Sequence, residues 1–382
     1  MVESRKTRWK DRFCKLDDLE HFEKKMPKLF HALQAIQAYS PLGKQLYDWA
    51  EKSGVPFFEE NLGDVMGRAS SMITCHKQNS IALNISVLAH ELMHTVQCRE
   101  YKLLERSKRA NIRSYMVHGL NLEAAAVTSQ IRVMYEMKLN HQTEAWDDFM
   151  SQDSDWKGAT GKKMMPWVKY QPIAKRFDDV YQREIGKGKA MDDALREASH
   201  AAHRSYYRSQ SLKNTYGNMY LKEYMEMILR GRFKRHGPKD LTSEKQALLM
   251  ATLDDGTTLV DLDEIVLPKT DKELFGTNIR MRQAFDYLEC VRLVVSYGEK
   301  NNGFQKLLSR LQKEKNPYLG INLNEAMAKI NQAAPLKTPM EVMDEMAGLP
   351  PLDNLSPSFA KVSDKQAKPQ QPHKPHLPLK AG

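Results

Sequence analysis

His90-Glu91-Leu92-Met93-His94 is the stretch of this chain whose residue types and spacing define a chemistry. On a helix, positions four apart differ by about 40° in direction and about 6 Å in height, so both imidazoles can reach one metal ion. Glu91 flanks them without being aimed at the ion. That sets a carboxylate beside a metal-bound water, as a metal-dependent hydrolase requires.

Two histidines are too few for a tight zinc site, and the chain offers several third donors. Zinc peptidases that continue HExxH with xxGxxH use the glycine to turn the chain back toward the metal. Here the corresponding positions hold Gln97 and Glu100, so the helix runs on and carries Glu100 about 9 Å along the axis from His94. Cys98 continues the histidine stripe as a candidate thiolate, against its reading as a small core residue. Glu123, in NLEAAAVTSQIRVMYEMKL, is better placed: Asn121 can cap this second helix, and the alanines after Glu123 allow close packing against the first. A glutamate on the facing helix completes a His2Glu set with one position left for water. The competing reading is a first-turn glutamate favoured by the helix dipole.

The elements that must position these residues are legible nearby. Asn84-Ile85-Ser86 offers a helix start with Ser86 as N-cap, and Val87, Leu88, Leu92, Met93 and Val96 form its buried flank. Upstream, SMITCHKQNSIALN reads as two short strands around a Lys77-Gln78-Asn79-Ser80 turn. The second of these, residues 80–84, would serve as an edge to which an extended substrate backbone adds. Donors for a developing oxyanion are sought among Tyr206, Tyr207, Tyr216, Tyr220 and His118, with no assignment among them.

HELMHTVQ followed by LEAAAV resembles the gluzincin-type zincins. The likeness is greatest to a bacterial group of HExxH metallopeptidases that carry an IxLN strand, an LaHELxHxxQ helix and an EAxA helix. It covers residues from about 30 to 140 through IALN, LAHELMHTVQ and LEAAAV. The resemblance implies a zincin-like core, Zn2+ held by His90, His94 and Glu123, and Glu91 as general base. It also implies hydrolysis of peptide bonds in a polypeptide substrate by a zinc-bound water that Glu91 activates. One departure stands out. Many gluzincins place an acidic residue shortly after the third ligand to orient a ligating imidazole, whereas Ala124, Ala125, Ala126 and Val127 occupy those positions here.

The rest of the chain bounds this reading. Its 382 residues are 41% hydrophobic and 28% charged, enough to bury a large core, and no apolar run reaches membrane-spanning length. The expected class is α+β and predominantly helical: a zincin-like core with a small sheet next to the HExxH helix, then C-terminal helices and a disordered tail. Residues 1–240 form the expected metallopeptidase domain with a loop insertion at about 151–172, residues 241–333 a helical region packed on it, and 334–382 a Pro-rich tail. Helical periodicity runs over 17–52 with a break at Ser40-Pro41, then over about 87–108, 111–140, 173–186, 190–209, 211–231 and 271–332, with an Asp-Gly hairpin near 253–259.

Cys14, Cys75, Cys98 and Cys290 share no framework or CxxC spacing and read as reduced thiols. The charged N-terminus lacks the apolar core of a secretory signal, so cytoplasmic residence is expected, with signal-independent export the other route. The formal charge of +10 is spread over helical segments without a nucleic-acid-binding module, so solvated helix faces account for it, and the sequence carries no signal of oligomeric state. Two other classes stand beside the peptidase: a zincin-shaped binding or regulatory protein that holds zinc and turns over little, and a basic helical protein that binds nucleic acid or another partner.

Overall fold

The structure is a computed structural model that describes residues 12–62, 66–69, 72–101, 110–151, 169–229 and 243–265, with 267, 268, 270, 273 and 274. The chain divides into two compact units, Met1–Arg282 and Gln283–Gly382, and every described residue lies in the first. The expected loop insertion at about 151–172 (except its ends), nearly all of the helical stretch 271–332 and the tail from 334 fall outside the described residues.

Three helices open the fold: α1 (Leu19–Lys25), α2 (Pro27–Tyr39) and α3 (Pro41–Lys52). Pro27 and Pro41 each stand in a first helical turn, where a missing N–H costs nothing. Ser40 caps α3 by accepting from the Gly43 N–H at 2.8 Å, so the expected break at Ser40-Pro41 is present. Strands β1 (Phe57–Glu60), β2 (Gly67–Ala69) and β3 (Ile73–His76) form a sheet in the order β1-β3-β2, with β1 parallel and β2 antiparallel to β3. Cys14 pairs with Phe57 on the other side of β1.

Helix α4 (Ile81–Arg99) follows, then α5 (Ile112–Leu139), α6 (Glu144–Ser151), α7 (Gln171–Gly186), α8 (Met191–Arg208), α9 (Gln210–Leu229) and α10 (Glu244–Met250). Thr252 and Thr258 then close a hairpin turn at Gly256, as the Asp-Gly signal requires. The described residues are thus mostly helical with one small sheet, an α+β arrangement. Helix α5 is its axle. It packs against α2, α3, α4, α6, α8, α9 and α10, and only Arg113, Leu122, Arg132, Lys138 and Leu139 escape full burial.

Two local expectations are corrected. Residues 81–84 are not a strand: Ser80, not Ser86, is the N-cap of α4, accepting from the Leu83 N–H at 3.0 Å. Asn84 is held inside the first turn by the Asn79 side-chain amide at 3.0 Å, and Ser86 instead accepts from Gln130 of α5 at 2.6 Å. The second correction concerns the cap of α5: the helix starts at Ile112, in line with the periodicity over 111–140, and its cap is Asn111, through the Ser114 N–H at 2.7 Å, rather than Asn121. Asn121 lies within the helix and donates to the Val117 carbonyl. Glu123 is therefore a mid-helix residue, and the helix-dipole explanation for it falls away.

Candidate metal centre

Helix α4 is buried on most sides, and its crossing with α5 fixes the site. The two helices are joined by side chains along the crossing: Ser129 reaches the Ala89 carbonyl at 3.4 Å and Gln130 donates to Ser86. His90 and His94 then face Glu123 across the contact. The Nε2 atoms of the two histidines are 3.1 Å apart, His90 Nε2 is 3.5 Å from Glu123 Oε2, and His94 Nε2 is 3.6 Å from Glu123 Oε1. Among the described residues these three form the group of donors able to hold one metal ion. Zinc with ligand bonds near 2.0–2.2 Å in tetrahedral geometry needs ligand atoms about 3.3 Å apart, so two imidazole nitrogens and a carboxylate fit it in number and type, each histidine facing a different carboxylate oxygen near that spacing.

The electrostatics of the cluster suit a cation. Burial opposes charge on His94, but the neighbouring Glu123 carboxylate outweighs it and raises the imidazole to about 9. Burial likewise opposes the charge on Glu123, and the two imidazoles overcome it, holding the carboxyl well below its ordinary range. Glu91 is moved the other way. Burial raises its pKa and Glu123 adds to that, offset in part by His90, His94 and a hydrogen bond donated by the Ala69 backbone.

That last contact brings strand β2 to the site, and Gly67 makes it possible. A Cβ there would lie 2.4 Å from Val87 Cγ1 and 3.3 Å from Glu91 Oε1, so a larger residue would push the strand off α4.

The other candidates are accounted for individually. Glu100 accepts the Trp49 indole N–H at 2.8 Å, at the far end of α4. Burial, reinforced by the Glu91 charge, pushes the Cys98 thiol up to about 11, and Cys98 is not among the converging donors. His118 is buried on α5, outside the converging group. Of the tyrosines, Tyr220 reaches the cluster, donating to Glu123 Oε1 at 3.1 Å. Tyr216 bonds the hydroxyl of Tyr170, and Tyr206 packs between Tyr207 and Tyr216. Burial and the charge of Glu123 keep Tyr170, Tyr206, Tyr216 and Tyr220 protonated. Gln97, which sequence reasoning treated only as a missing glycine, is fully buried with its Oε1 2.8 Å from His94 Nδ1.

Compared with known protein families, residues 58–258 match the family described as "Putative metallopeptidase family (DUF6782)". The match runs from β1 through the hairpin after α10 and takes in every residue of the cluster. The chain belongs to this family. By its description the family's chemistry is metal-dependent and enzymatic, with polypeptides as substrates, and the His90, His94 and Glu123 cluster supplies a place for the metal. Neither the curated proteins nor the solved structures gave a match to the chain. No helix among the described residues is long and apolar enough to cross a membrane.

Proposed function

We propose that the protein is a zinc-dependent peptidase of gluzincin type, built on a zincin-like core, with His90, His94 and Glu123 as metal ligands and Glu91 as general base. The convergence of the three donors, with the Glu91 carboxylate on the adjacent helical position, carries this reading. Zinc, when bound, would polarise the scissile carbonyl and lower the pKa of a water toward about 7. The chain's own residues do the rest. Glu91, whose affinity for a proton burial has raised, takes one from the attacking water and delivers it to the amine nitrogen as the C–N bond breaks.

An extended substrate would add to β2. Among the described residues that strand pairs with β3 alone, while β1 is flanked on both sides by β3 and Cys14. This replaces the edge first sought at residues 80–84, where Ser80 caps α4 and 81–84 are helical.

The test is elemental analysis of purified protein followed by an assay on an unfolded, fluorescently labelled polypeptide. One zinc per chain is expected, with Glu123→Ala losing or weakening it. Glu91→Gln should keep the zinc and lose roughly 10²–10⁴-fold in hydrolysis. A wild-type protein that takes up no zinc, or a fully active Glu91→Gln, defeats the reading. Stoichiometric zinc without hydrolysis of any polypeptide would favour the zinc-binding regulatory alternative.

A further inference from the structure

Gln97 makes three contacts with one amide. Its Nε2 lies 3.2 Å from the Leu122 carbonyl and 2.7 Å from the Met250 carbonyl, and its Oε1 lies 2.8 Å from His94 Nδ1. Carbonyls only accept, so the nitrogen must face them and the oxygen must face the imidazole. An amide oxygen only accepts as well, so His94 Nδ1 carries the proton. In the neutral ring the lone pair is then left on Nε2, the atom that faces His90 and Glu123. Leu122 immediately precedes Glu123, and Met250 is the last residue of α10, which packs on α5. One fully buried side chain therefore joins the second ligand, the backbone beside the third, and a helix distant in sequence from both.

We propose that Gln97 is a positioning residue that fixes His94 in its metal-binding tautomer and makes metal binding and the seating of α10 mutually dependent. The inference rests on the zinc reading above. It supplies the outer partner that Ala124 to Val127 cannot. Because coupling between sites is reciprocal, the metal must tighten α10 if α10, through Gln97, tightens the metal. A second bond, from the Tyr101 hydroxyl to the Leu253 carbonyl at 2.6 Å, keeps the segment near α4 when Gln97 is changed.

The experiment measures two quantities on the full chain: zinc affinity by competition with a chromogenic chelator, and amide hydrogen exchange over residues 244–253 with and without zinc. In the wild type zinc should slow that exchange. Gln97→Met, which removes all three contacts at similar size, should bind zinc about 10–100-fold more weakly and lose the response of residues 244–253. Gln97→Glu keeps the acceptor for His94 and removes the two donors. It should hold zinc close to wild-type affinity while exchange in α10 no longer responds.

Wild-type zinc affinity in Gln97→Met overturns the assignment, as does α10 exchange indifferent to zinc in the wild type. If Gln97→Met does not fold, an α10 response retained in Gln97→Glu has the same force. A wild type that binds no zinc overturns the metal reading itself and this inference with it.

Discussion

Glu123 is held by a hydroxyl on another helix, and the space for that hydroxyl is made by an absent side chain. A Cβ on Gly119, one turn before Glu123 on α5, would lie 2.4 Å from the ring of Tyr220. The ring therefore rests on bare backbone while its O–H reaches the carboxylate at 3.1 Å. Tyr220→Phe should leave the fold intact and weaken zinc binding by up to about tenfold. Gly119→Ala should weaken it comparably by displacing the ring and should also cost about 1–3 kcal/mol of stability. Chelator competition and thermal melts read the two effects, and unchanged affinity in both variants would leave Tyr220 a packing residue. At this scale the sequence was partly legible. His90, Glu91 and His94 sit on one continuous helix, where spacing alone sets direction, and Glu123 stood out once a facing helix was assumed. Tyr220 was one of several tyrosines, and two of the three contacts of Gln97 are to residues 25 and 153 positions away, beyond any local pattern.

The elements were legible where one face is polar and blurred where none is. Helices α7 and α8 lie within two residues of their expected bounds because charged positions alternate with Phe177, Val180, Leu195 and Ala198 at helical spacing. The start of α4 has no such face: Ile81-Ala82-Leu83-Asn84 is a short apolar run that fits a strand or a buried helix equally, and only the cap from Ser80 decides. The end of α7 carries a pH-dependent tie. Hydrogen bonds from Lys187, then Lys189 and Arg183, lower the Glu184 carboxyl from its ordinary 4.5 to about 2. A carboxyl lowered in the folded state stabilises above its unfolded pKa, and that contribution is lost as pH falls through the folded one. Glu184→Gln should therefore melt a few degrees lower at pH 7, with the gap to wild type closing between pH 4.5 and about 2. Thermal melts across that range test it, and a constant gap would show that the ion pairs add nothing.

At the scale of the whole molecule, the cluster ties together three helices that also pack on one another, α4 on α5 and α5 on α9. His90 and His94 come from α4 and Glu123 from α5, and Glu123 in turn meets α9 through Tyr220. A ligand that binds only the folded arrangement stabilises it by mass action, by about 2.7 kcal/mol at a hundred times its dissociation constant. Stripping the metal with a chelator should therefore lower the melting temperature, and restoring zinc should recover it. A melting temperature indifferent to zinc would mean that the metal contributes nothing to joining these helices. The order in which the chain is made adds a further consequence. Gln97 and Met250 are separated by 153 residues, and at about 5–20 residues per second a ribosome takes roughly 8–30 s to travel from one codon to the other. During that interval a nascent chain already displays HExxH, while the carbonyl that anchors Gln97 does not yet exist. On the proposed reading, the second ligand therefore gains its distant anchor only when synthesis nears the end of the stretch that matches the family.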